Sequence, residues 1–144
     1  LGIEPTVVEG VAEYDRDDTT YVPAEVTKAR IKAGDAEVDE EDFWRDPLLA
    51  LAADERKAWI EGVVAGFESI IAANSGRRVA VFCHGMVTSV WFAHILGIAD
   101  TVRFTPDYCG LSRMLASANS DIVTVRSFNE THFLGDSHIP LFEK

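Results

Sequence analysis

The sequence predicts an α/β domain built on an open sheet, and three observations predict it. An amphipathic helix, a short apolar run, a Gly-containing turn and a second helix follow one another between Glu55 and Leu96. The last third changes to two strand-length segments separated by a small polar turn. With 144 residues and 47% apolar side chains, the chain suits a single unit, residues 1–144, with one core.

The elements follow in order. Thr6 to Ala12 (TVVEGVA) has the β-branched character of a strand or extended loop, weakened by Gly10. Glu13 to Tyr21 is rich in charges and turn formers, and Pro23 follows, so a surface loop is expected. Ala24 to Ala33 suits a short helix ended by Gly34. The acidic run Asp35 to Asp42 (DAEVDEED) suits a solvated loop or helix start, because it lacks the regular ligand spacing and central Gly of a calcium loop.

From Asp54 the periodicity is clear. Asp54 is a candidate cap, and Trp59, Val63, Phe67, Ile70 or Ile71 and Asn74 recur at helical spacing, predicting a helix over Glu55 to Asn74. Ser75-Gly76 ends it. Arg78 to Cys83 (RVAVFC) is apolar without alternation, as suits a strand buried on both faces of a sheet. After His84-Gly85, Met86 to Leu96 carries Val87, Val90, Trp91, His94 and Ile95 at helical spacing and stops at Gly97. Leu111 to Ala116 and Ile122 to Phe128, joined by the turn Ser117 to Asp121, predict an antiparallel hairpin added to the same sheet.

Charge narrows the function classes. Of 24 acidic and 13 basic residues, residues 1–62 hold 17 and seven, so nearly all of the net charge of −11 belongs to that half. An acidic surface repels a phosphate backbone, and neither nucleic acid nor an anionic membrane is an expected partner. A small phosphorylated ligand remains compatible, since a local pocket can be cationic. Cys83 and Cys109 form no C-x-x-C pair and are too few for a disulfide framework, so a reducing, cytoplasmic setting is expected. No P-loop, G-x-G-x-x-G, G-x-S-x-G or H-E-x-x-H motif occurs, and no cofactor or metal is expected.

His84-Gly85 is the most informative pair. It stands where a strand gives way to a helix, the edge at which open α/β sheets bind ligands and a helix start offers free N–H groups to an anion. Gly85 allows close backbone approach there. His94, inside the second helix, is expected in or at the edge of the core. His132 and His138 lack the spacing of a helical zinc pair. Cys83 adjoins His84 but, by strand alternation, should point the opposite way into the core. Glu9 and Glu13 flank the early Gly as candidate functional carboxylates, with a solvated surface position as their plain alternative.

These residues resemble the histidine phosphatase superfamily, which has the phosphoglycerate mutase-like fold. RVAVFCHGMVTSVWFAHILGI (Arg78 to Ile98) is similar to its second histidine motif; TPDYCGLSRML and VRSFNETHFL are similar to its paired strands and Asn-containing ending; VVEGVAEYD is similar to the stretch holding its acidic proton donor. The resemblance implies a three-layer sandwich with a mostly parallel central sheet and a C-terminal antiparallel strand pair. It implies a phosphohistidine mechanism in which His84 holds the phosphoryl group, the Gly85 N–H faces the same pocket and Glu13 is the general acid, Glu9 being the other choice. After His84-Gly85 the continuation Met-Val-Thr-Ser-Val lacks the mutase pattern, so a phosphatase is expected before a mutase. A non-catalytic module that kept the fold is the alternative.

The chain departs from that family at one point. It contains no Arg-His-Gly, the motif that carries the nucleophile, and it opens on Leu1 rather than Met. It therefore resembles the C-terminal two-thirds of such a domain, and a piece of a longer protein is the expectation. A natural chain of this length would have to complete its sheet by homodimerisation or with a partner strand.

Overall fold

A computed structural model describes residues 2–17, 19, 26, 29–30, 33–34, 51–99, 104–117, 119 and 122–137. The acidic run Asp35 to Asp42 and His138 lie outside the described residues, as does most of the expected helix Ala24 to Ala33. Residues 2–8 carry neither helix nor strand, and a 3-10 turn, Glu9–Val11, follows. Two helices come next, α1 (Ala53–Ala73) and α2 (Gly85–Leu96), then strands β1 (Leu111–Ala116) and β2 (Val123–Glu130). His132–Ser137 closes the description as 3-10 turns broken at Gly135. Among the described residues no helix is long and apolar enough to cross a membrane.

Both helices begin within two residues of their expected starts. The expected Asp54 cap is corrected: the N-cap position is Ala52, with no side-chain hydrogen bond, and Asp54 and Glu55 instead lie in the first turn. There their charge still complements the positive end of the helix. Helix α2 is apolar nearly all round, with Val87, Val90, Trp91, Phe92 and Ala93 buried, as a helix enclosed on several sides must be. Gly97, at φ 66°, adopts the left-handed conformation that ends it. His94 differs from expectation, being exposed and stacked on Trp91 with ring centroids 5.6 Å apart.

The core forms where α1 meets α2. Phe67 stacks on Trp91 at 4.7 Å, and Phe92 meets the edge of Phe128 from β2 at 4.8 Å. Burying a side chain such as Phe92 contributes about 2–3 kcal/mol through lost apolar surface. Trp91 also donates its indole N–H to Met114 Sδ on β1 at 3.2 Å. The hairpin is antiparallel, with Met114 opposite Val125 and Ala116 opposite Val123, and Ser117 N–H closes it on the Ile122 carbonyl.

The largest departure concerns Arg78 to Cys83. The expected strand carries no ladder, and β1 with β2 is the one sheet among the described residues. Val79, Val81 and Phe82 are 48%, 37% and 93% exposed rather than buried. A parallel central sheet is not seen there because burial on two faces requires neighbouring strands, and none of the described residues lies alongside to supply them.

Candidate functional site

Two segments distant in sequence build the site. The first is the 3-10 turn, which lies against α1 through glycine contacts. A Cβ on Gly10 would stand 2.5 Å from the Gly62 carbonyl oxygen and 3.1 Å from Gly66 Cα, so the absence of a side chain lets the backbones touch. Trp59 of α1 donates its indole N–H to the Ala12 carbonyl at 3.1 Å and pins the end of the turn. Glu13 follows at once.

The second segment is the start of α2. His84 occupies its N-cap position with extended backbone (φ −106°, ψ 172°), and its carbonyl accepts both the Thr88 N–H and the Thr88 hydroxyl at 3.0 Å. The imidazole makes no capping bond and is exposed. At Gly85 a Cβ would meet only Pro106 Cγ at 4.0 Å, so packing does not demand a glycine there.

Glu13 joins the two. Its carboxylate accepts the Tyr14 N–H at 3.1 Å and, from the start of α2, the Met86 N–H at 3.3 Å. Burial pushes the Glu13 pKa above the usual carboxylate value. The Tyr14 N–H, the nearby His84 and the Met86 N–H oppose that shift, and Asp15 adds to it. A carboxyl that is half-buried, close to a histidine and disposed to take up a proton has the chemistry of a general acid. It also meets one of the free N–H groups with which a helix start greets an anion.

The other candidates separate from this pair. Glu9 is exposed and ion-paired with Arg16. Cys83 is half-buried, as alternation with exposed His84 requires, and its thiol lies 3.5 Å from Thr88 Oγ1. Burial pushes that thiol pKa up, which opposes a nucleophilic thiolate. His132 is exposed, its ring 5.9 Å from that of Phe133.

Several contributors were not anticipated from the sequence. Ser89, buried in α2, donates to the Phe104 carbonyl and ties the segment 104–110 to the helix. That segment is held by Asn129 of β2, whose Oδ1 accepts the Asp107 N–H at 2.9 Å and whose Nδ2 donates to the Asp107 carboxylate at 3.1 Å. Asn129 adopts φ 52°, a left-handed conformation that Asn tolerates better than most residues. Finally, Tyr14, Arg16, Asp17 and Trp59 line a cavity that Glu13 shares.

Comparison with known proteins gives one positive finding. The family model described as histidine phosphatase superfamily (branch 1) matches residues 1–131. No curated protein and no solved structure matches the chain.

Proposed function

The chain belongs to the histidine phosphatase superfamily, and we propose that its parent protein is a cytoplasmic phosphatase that hydrolyses a small phosphomonoester through a phosphohistidine. Membership supports phosphatase or mutase chemistry in general. The observation that carries the finer reading is the meeting of Glu13 with Met86 at the start of α2, beside His84, across 73 positions of sequence.

In this reading the phosphoryl group lies against His84 and the N–H groups that open α2, with Gly85 leaving its approach clear. A histidine of an Arg-His-Gly motif attacks phosphorus, the bond to the ester oxygen breaks, and Glu13 gives its proton to the departing alkoxide. Water then attacks the phosphohistidine, with Glu13 taking up the proton, and releases inorganic phosphate. The demands are positioning and charge neutralisation. No Arg-His-Gly occurs in the 144 residues, so the domain is read as the C-terminal two-thirds of a three-layer, phosphoglycerate mutase-like unit. An upstream segment or a second copy would complete it.

The alternative reading is an interaction module that kept the fold without turnover. p-Nitrophenyl phosphate hydrolysis separates the two. The chain alone is expected to be inactive, whereas a protein carrying Arg-His-Gly ahead of it should be active and lose several orders of magnitude on His84→Ala. Full activity in that variant would remove His84 from the phosphoryl pocket.

A further inference from the structure

A cavity of about 420 Å³ is lined by Glu9, Glu13, Tyr14, Arg16, Asp17 and Trp59. Glu13 lines this cavity and accepts the Met86 N–H at the start of α2, so a substrate whose phosphoryl group lies at the helix would pass its alcohol half beside Glu13 and into the cavity. The wall holds two aromatic rings, Tyr14 and Trp59, edge to face with centroids 5.8 Å apart. The hydrogen bond from the indole to Ala12 holds Trp59 in orientation.

Charge then selects the ligand. The Arg16 guanidinium pairs with Glu9 and, at 3.8 Å, with Asp17, so one cation is shared by two carboxylates. Among the described residues the lining is net negative whether Glu13 is ionised or protonated, and its residues lie in the acidic half of the chain. A leaving group bearing a carboxylate or second phosphate would be repelled. An ammonium gains both the net negative charge and the electron-rich ring faces. We infer that this cavity receives the alcohol half of the substrate and that this half carries an ammonium group, making the substrate class the phosphomonoesters of amino alcohols.

The inference rests on the phosphoryl position proposed above, and the test reads the two apart. The full chain is titrated calorimetrically with choline, phosphocholine, glycerol 2-phosphate and 3-phosphoglycerate. Choline is expected to bind, and phosphocholine about tenfold more tightly than either glycerol-based ester. Glu9→Gln with Asp17→Asn should weaken choline about fivefold, while Arg16→Gln should strengthen it by a similar factor. A merely loosened fold would not strengthen binding. No choline binding, equal affinity for glycerol 2-phosphate and phosphocholine, or weakening in Arg16→Gln would each overturn the inference. Choline binding that gains nothing from an added phosphate supports the cation cavity and overturns instead the phosphoryl position beside His84.

Discussion

Gly10→Ala puts the contact that seats Glu13 under direct strain. The new Cβ would stand 2.5 Å from the Gly62 carbonyl oxygen, and an ordinary carbon-to-oxygen contact needs about 3.3 Å, so the 3-10 turn must lift by about 0.8 Å. Crowding of this kind costs about 1–3 kcal/mol, and the reduced freedom of the unfolded chain returns about 0.4–1 kcal/mol. The expected net loss is about 1–2 kcal/mol, or about 2–8 °C in Tm for a chain of this size. Two neighbours calibrate it. A Cβ at Gly62 meets nothing within 4 Å, so Gly62→Ala should stabilise α1 by about 0.5–1 kcal/mol. At Gly66 the nearest atoms are 3.1–3.2 Å away, and the helix-propensity gain should roughly cancel the crowding. Thermal melts of the three variants therefore give the order Gly62→Ala, Gly66→Ala, Gly10→Ala from most to least stable. Equal Tm values for Gly10→Ala and Gly62→Ala would refute the close approach.

Other outcomes follow from single contacts. The Glu13 pKa is raised on folding, so its contribution is fully present below the unfolded carboxylate value and is lost as pH rises through the folded one. Glu13→Gln should therefore flatten that part of the Tm profile between pH 4 and 7 and be no less stable than wild type at pH 7; a drop at pH 7 would contradict the sign. Asn129→Ala leaves the Asp107 N–H without its acceptor and should cost about 1–3 kcal/mol in urea melts, with Asn129→Gly milder because glycine relieves the positive φ. Phe92→Ala removes a ring packed against Phe104 and Phe128 and should cost about 3–5 kcal/mol, a smaller loss showing that the core collapses onto the gap. Phe82→Ser, at an exposed position, should change the stability of the chain by less than about 0.5 kcal/mol, and a larger loss would mean the ring is covered.

What was legible in the sequence was local. The face Trp59, Val63, Phe67 specified α1 because each of those residues is three or four from the next, and Gly97 ended α2 because only the residue after the helix has to turn left-handed. The hairpin was legible for the same reason, as period and turn lie within 20 residues. The pair His84-Gly85 and the carboxylate Glu13 were each legible as candidates. Their proximity rests on the resemblance, because nothing between residues 13 and 86 encodes a contact across 73 positions. Beyond Glu9 and Glu13 the cavity wall was illegible: Arg16 and Asp17 look like solvated charges in an acidic stretch, and Trp59 looks like one more residue of an apolar helix face. Asn129 stood out only as part of the Asn-containing ending, and its bond to Asp107 was illegible because it depends on strand register and on a positive φ.

Arg78 to Cys83 marks where local reading and surroundings part. An unbroken apolar run with two valines has the composition of a strand enclosed on both faces, yet burial is a property of neighbours and not of composition. Among the described residues, no backbone hydrogen bond joins residues 78–83 to a neighbour, and Phe82 is presented to solvent. Such a segment combines high strand propensity with N–H and C=O groups that no described residue pairs, the conditions under which an edge takes up another strand. The His84-Gly85 turn leaves this same segment, so a strand that paired with residues 78–83 would bear on where His84 is held. Phe82→Ser tests the segment apart from the site, because it changes an exposed side chain of residues 78–83 and leaves Glu13, His84 and the Met86 N–H in place.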